Sequence, residues 1–228
     1  MQFTAILFDL DGTILNTIPD LADSANAMRQ DMGLPPIDEG ILATYVGQGF
    51  EHLVMRALSH EGQPADVQTV MRGMARYRDH YRAFSGRRTQ LYPDALQGLR
   101  DFRDSGAKLA VVTNKLTEFT GPLLQQHGIA EFFEVVVCGD TCERRKPDPM
   151  PLWHACELLG VKPGETLFIG DSITDAEAAN AAGIRILALP YGYNEGRPVQ
   201  ALPVDAIVDS LVSAAQWAAN ATPLAENA

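Results

Sequence analysis

Ala5-Ile6-Leu7-Phe8-Asp9-Leu10-Asp11-Gly12-Thr13 is the stretch from which the fold can be read. The apolar run 5–8 is short and uninterrupted, which fits a strand covered on both faces. The carboxylates of Asp9 and Asp11 follow at its C-terminal end, the edge of an open α/β sheet at which ligands bind. If the chain turns at Gly12, a side chain from one aspartate and a backbone carbonyl from the other can meet the same hard cation. An acidic turn at the end of a strand would explain Asp-Gly equally well when it is taken alone.

Three downstream clusters give the stretch its meaning. Leu109-Ala110-Val111-Val112 leads into Thr113-Asn114-Lys115, and Thr166-Leu167-Phe168-Ile169 leads into Gly170-Asp171-Ser172-Ile173-Thr174-Asp175. Between them, a loop after Val135-Val136-Val137 carries Lys146-Pro147-Asp148-Pro149. Parallel strands present their C-terminal ends on one edge, so clusters remote in sequence can converge there. Carboxylates, lysines, a hydroxyl and an amide in one place suit a divalent cation and a phosphoryl group.

Strands are expected near 5–8, 109–112, 135–137, 166–169, 185–189 and 206–208. From residue 92 onward helical patterns separate them: one opens at Tyr92-Pro93-Asp94 and closes at Gly106, one runs from Pro149 to Gly160, and one from Asp175 to Gly183. This alternation predicts βαβ units in an α/β fold with a Rossmann-like, mostly parallel sheet. Residues 17–84 carry no β run. Leu21, Ala25 and Met28 have helical spacing, as do Leu53, Ala57 and Leu58, and then Val70, Met74 and Tyr77. The block is too large for a simple crossover. It is expected to be an inserted all-helical cap domain, 17–84, hinged near 16–20 and 85–88, on a core of 1–16 plus 85–228. The polar stretch from Pro223 is expected to fray.

Composition narrows the partners. Hydrophobic residues make up 46% and charged residues 21% of the 228, ordinary values for a globular protein. Against 29 acidic residues stand 18 basic ones, a formal charge of −11 that disfavours nucleic acid or an anionic membrane as partner. The same field repels a phosphorylated substrate, so a local cation and Lys146 would have to overcome it. Met1-Gln2-Phe3-Thr4 carries no charged n-region or long apolar stretch, so no signal peptide is expected. Cys138, Cys142 and Cys156 lack CxxC spacing, so cytoplasmic thiols are expected rather than a disulfide or zinc framework.

The four clusters, in this order and along essentially the whole chain, resemble the motifs of the haloacid dehalogenase superfamily of phosphohydrolases. DxDGT at 9–13 together with GDSxxD at 170–175 carries the likeness, and within the superfamily it is closest to the phosphoglycolate phosphatase group. The resemblance implies that Asp9 is the nucleophile that forms an aspartyl-phosphate. Asp11 would protonate the leaving group and later activate water. Magnesium would sit among the Asp9 carboxylate, the Asp11 carbonyl and the Asp171 carboxylate, with Asp175 either orienting bound water or reaching the ion. Thr113 and Asn114 would donate to phosphoryl oxygens, and Lys146 would hold Asp9 deprotonated and meet a nonbridging oxygen. Asp11 also separates phosphatases from the dehalogenases, which need no leaving-group acid.

The remaining candidates concern specificity. Thr-Asn-Lys at 113–115 matches the phosphoglycolate phosphatase pattern, although a surface lysine is the alternative for Lys115. Gly47 and Gly49, in a GxG with no strand before it, open a helix; the resemblance makes this a cap loop touching the substrate's organic part. Val46 to Leu53 lacks the arginine with which related sugar-phosphate mutases hold a second phosphate. Thr13 reads as a turn hydroxyl that senses cap closure, and Arg144-Arg145 as a solvated basic run. The implied activity is hydrolysis of a small phosphorylated organic acid, 2-phosphoglycolate first. A small phosphosugar such as N-acetylmuramic acid 6-phosphate, or a phosphomutase reaction, is the alternative.

Overall fold

The computed structural model describes residues 3–62 and 64–221. The stretch from Pro223, expected to fray, lies outside the described residues. In chain order the main sheet is built from β1 (Ala5–Phe8), β4 (Lys108–Val112), β5 (Val135–Val137), β6 (Thr166–Gly170), β7 (Arg185–Ala188) and β8 (Ala206–Ile207). Its spatial order is β5-β4-β1-β6-β7-β8, and every pairing is parallel. The six expected strands are present, with bounds shifted by a residue or two.

Alternation along β1 explains why it is central. Ile6 and Phe8 turn to one face, where they meet Leu99, Phe102, Leu123 and Leu211. Ala5 and Leu7 turn to the other, against Leu152, Ala155 and Ala179. All four β1 side chains have no exposed area, and full burial of a large apolar side chain contributes about 1.5–3 kcal/mol. Helices α5 (Ala95–Asp104), α6 (Thr117–Gln126) and α9 (Leu211–Asn220) lie on the first face, and α7 (Met150–Leu159) and α8 (Ile173–Ala182) on the second. The chain moves from β1 outward to β4 and β5, then returns to β6 on the other side of β1. The C-terminal end of β1 is therefore the switch point of the sheet, where a crevice opens.

Between β1 and β4 stands a helical segment: α1 (Ile18–Asp31), α2 (Glu39–Ala43), α3 (Phe50–Leu58) and α4 (Val67–Phe84). Its own core gathers Leu21, Ala25, Met28, Leu53, Ala57 and Tyr77, as the helical spacing predicted, and takes in Phe119 and Tyr193 from beyond it. The chain enters and leaves this segment through β2 (Leu15–Asn16) and β3 (Gln90–Leu91), a two-residue antiparallel ladder. Asp20 on α1 fastens the same neck by accepting from the backbone N–H groups of Gly86, Arg88 and Thr89.

Candidate active site

Asp9 is the first residue past β1, and its N–H donates to Ile169 O at 2.9 Å, extending the sheet by one bond. That bond fixes its side chain over the switch point. Its Oδ1 lies 2.9 Å from Lys146 Nζ, near enough for charge pairing but not aligned as a hydrogen bond. The Lys146 ammonium is buried and donates to Val112 O and to Asp175 Oδ1, each at 2.7 Å. Burial alone would push this lysine down; Asp175 and Asp9 more than reverse that and hold it above its ordinary value.

The start of α8 supplies the other acids. Ser172 and Asp175 form a capping box, the Ser172 side chain accepting from Asp175 N–H and the Asp175 side chain from Ser172 N–H. Asp175 Oδ2 also accepts from Asp171 N–H (3.2 Å) and from the Ser172 hydroxyl (2.7 Å). Asp171 accepts from the Thr13 hydroxyl (2.8 Å) on one oxygen and from Tyr193 N–H (2.7 Å) on the other. A Cβ on Gly12 would stand 2.4 Å from Asp171 Oδ2, and one on Gly192 would stand 2.2 Å from it. Bare backbone on both sides is what admits this carboxylate.

Carboxylate oxygens of Asp9, Asp171 and Asp175 lie within 4.8 Å of one another. Burial, opposed by Lys146 and reinforced by Asp175, raises the Asp9 carboxyl to about 6. Burial, then Asp175 and Asp9, lifts Asp171 well above the usual carboxylate range. Asp171 has no lysine of its own, the Asp11 carbonyl accepts no hydrogen bond among the described residues, and every donor is an oxygen. Such a set fits a small hard divalent cation. Both Asp175 oxygens accept hydrogen bonds, as do both Asp171 oxygens, and the Asp175 carboxylate completes the acidic cluster.

On the open side of Asp9 lies a pocket of about 60 Å³ lined by Asp9, Asp11, Thr113, Asn114, Lys115, Gly47 and Gly49, with an apolar and aromatic wall from the helical segment. Lys115 is buried, not a surface lysine, and its ammonium contacts both Asp11 carboxylate oxygens at 3.0 and 2.9 Å. Burial would lower it; the Asp11 charge raises it overall. The Asn114 side-chain amide is spent on Gly47 O (3.1 Å) and Lys146 O (2.9 Å), so it joins the loop before α3 to the lysine loop. What Asn114 keeps for an incoming anion is its backbone N–H, which with those of Leu10 and Asp11 finds no acceptor among the described residues.

Sequence reasoning thus brought together the residues that meet here, and it missed several that frame them. Thr13 turns out to hold Asp171, and Tyr193 links that same acid to the neck: its hydroxyl accepts from Thr17 N–H (2.8 Å) and donates to Asn16 Oδ1 (2.9 Å). Arg144 is exposed and paired with Asp148, as a solvated basic residue should be. Tyr77 and Tyr81 also line the pocket. Their spacing of four on α4 places them on one helical face, but Tyr81 carried no motif to single it out.

A parallel sheet with an oxygen-rich acidic site at its switch point is the architecture of an α/β protein that binds its ligand at the sheet edge. The model of the family described as haloacid dehalogenase-like hydrolase matches residues 6–189, and the chain belongs to that family. It is 43% identical over 217 residues to the phosphoglycolate phosphatase of Thiobacillus denitrificans, covering 94% of this chain and 95% of the relative. It is 44% identical over 216 residues to that of Nitrosospira multiformis, covering 94% and 95%. The crystal structure of a predicted phosphoglycolate phosphatase from Haemophilus somnus superposes with a TM-score of 0.90 at 33% identity, covering 96% of this chain and 99% of that one.

Proposed function

We propose that the protein is a magnesium-dependent phosphomonoester hydrolase whose substrate is 2-phosphoglycolate. The observation that carries the reading is a buried Asp9 with an unbonded oxygen on the floor of a small pocket, beside Lys146 and Asp171. Asp9 attacks phosphorus and the ester P–O bond breaks. Asp11, a carboxylate against Lys115 in the resting site, takes up a proton as substrate binds and gives it to the leaving oxygen. Water then attacks the aspartyl-phosphate, Asp11 takes its proton, and Asp9 returns to a carboxylate. The free N–H groups of Leu10, Asp11 and Asn114 receive the phosphoryl oxygens, and Lys146 balances the charge that builds on them. Asp9, Asp171 and the Asp11 carbonyl would hold magnesium, which when bound neutralises phosphoryl charge.

The pocket beside Asp9 is compact and walled by the helical segment, which suits a small leaving group. The names of the relatives point the same way. Residues 17–84 act as a cap that closes on the core of 1–16 plus 85–228, excluding water from the intermediate. No helix among the described residues is long and apolar enough to cross a membrane, and we place the activity in the cytoplasm. The test is phosphate release from a panel of small phosphomonoesters, with magnesium or chelator, for wild type and Asp9→Asn. Release that needs both magnesium and Asp9, led by phosphoglycolate in kcat/KM, is expected. A panel without a leader refutes the substrate, and turnover by Asp9→Asn refutes the mechanism.

A further inference from the structure

Helix α4 sends two tyrosines into the pocket wall, and their hydroxyls are the anomaly of the site. Tyr77 and Tyr81 are 1% and 2% exposed, and neither hydroxyl makes an aligned hydrogen bond among the described residues, the Tyr81 hydroxyl having only Lys115 and Ser85 near it. A buried polar group left unpaired costs as much as a lost hydrogen bond, so native structures rarely keep one without a reason. Packing supplies none. The Tyr77 ring meets Phe50 edge-on at 4.9 Å and stacks on Tyr81 at 5.8 Å, and Tyr81 meets Phe119 edge-on at 4.7 Å. Phenylalanine would make each of those contacts and leave nothing unsatisfied.

We infer that the Tyr77 and Tyr81 hydroxyls, with the Lys115 ammonium, form the subsite that receives the carboxylate of the substrate's leaving group. The inference rests on the phosphatase reading above and names what selects an acid. Lys115 lies 4.9 Å from the Tyr81 ring centre and ion-pairs with Asp11, so the charge that would meet a carboxylate sits beside the group that protonates the leaving oxygen. Burial raises both phenols, Tyr77 well above its ordinary value, so they remain O–H donors at any working pH. Two O–H donors beside an ammonium match a carboxylate, which would share Lys115 with Asp11. The phosphoryl group goes instead to the backbone N–H groups past β1 and β4.

The experiment compares 2-phosphoglycolate with ethyl phosphate, which carries a methyl group in place of the carboxylate. Steady-state kcat/KM is measured for wild type, Tyr77→Phe, Tyr81→Phe and the double variant, each with a thermal melt. Each single variant is expected to lose about tenfold on phosphoglycolate, as for removal of a hydrogen bond to a charged group. Ethyl phosphate should change less than about threefold, and the melts should hold or rise because an unsatisfied hydroxyl has gone. A selective wild type whose variants stay equally selective, or variants that fall in parallel on both esters, would overturn the subsite and leave the phosphatase reading standing. A lower melting temperature would also overturn it, since the hydroxyls would then be structural. A wild type that treats both esters alike would refute the substrate class and the subsite together.

Discussion

Asp20 offers a quantitative test of how the helical segment is fastened to the sheet. It sits on the first turn of α1, fully buried, with no lysine or arginine within ion-pair distance among the described residues. Its Oδ2 accepts from Gly86 N–H (2.9 Å), Thr89 N–H (3.0 Å) and the Thr89 hydroxyl (2.6 Å), and its Oδ1 from Arg88 N–H (2.8 Å). In Asp20→Asn the carbonyl oxygen can keep the crowded side, which turns the amide nitrogen toward Arg88 N–H. Donor then faces donor, and one unpaired N–H costs about 1–3 kcal/mol. The surviving bonds lose their ionic strengthening, roughly 0.5 kcal/mol each. The loss totals about 3 kcal/mol, and at about 2–4 °C per kcal/mol for a chain of this size the melting temperature falls by about 6–12 °C. Asp20→Ala, which removes every acceptor, should fall further. Calorimetric melts in chelator isolate this effect from metal binding. A drop under about 2 °C for Asp20→Asn, less than 1 kcal/mol, would refute the cradle.

Two further outcomes concern the acids. Burial raises Asp9 from 3.8 to about 6 and lifts Asp171 as well. A carboxyl raised on folding costs stability above its folded value, and that cost fades as pH drops through about 6 toward 3.8. A cation relieves the cost only while the acids are ionised, so magnesium should raise the melting temperature clearly near pH 7.5 and much less near pH 5; equal shifts would put the ion elsewhere. Gly192→Ala drives a Cβ to 2.2 Å from Asp171 Oδ2. Phosphate release should fall by about 100-fold, the scale of a misplaced catalytic group, and the magnesium-dependent shift should vanish. Retention of both would mean that the loop gives way instead of the carboxylate.

What the sequence revealed followed from strong local periods. The runs 5–8 and 167–169 are fully apolar and bounded by polar clusters, so strand type and the acidic edge could be read together. The helical spacing of Leu21, Ala25 and Met28 likewise exposed the inserted block. β2 and β3 were invisible because two-residue strands have no period; only their pairing across some seventy residues makes them. Tyr193 was invisible as a linker for a related reason: its backbone serves Asp171 and its side chain serves Thr17, a contact separated by 176 residues. Lys115 looked ambiguous because a lysine after a strand is ordinarily solvated, and its burial beside Asp11 comes from the helical segment, whose Tyr81 ring lies over its ammonium.

The acidic balance of the chain poses a sharper question than its fold: how an excess of −11 tolerates an anionic substrate. Charges more than about 8–10 Å apart on a surface are largely screened, so the answer lies inside the pocket. There the four carboxylates of Asp9, Asp11, Asp171 and Asp175 face two buried ammonium groups, Lys115 and Lys146. Two formal negative charges are left over, and the upward displacement of Asp9 and Asp171 is the imprint of that surplus together with burial. A single divalent cation cancels it. Were magnesium held there as proposed, a phosphate dianion would meet a neutral site lined by unspent N–H donors instead of one that repels it. The site therefore does not need a positive protein around it. On the proposed reading a bound divalent cation would supply the missing positive charge, and burial of the acids makes the site costlier without it.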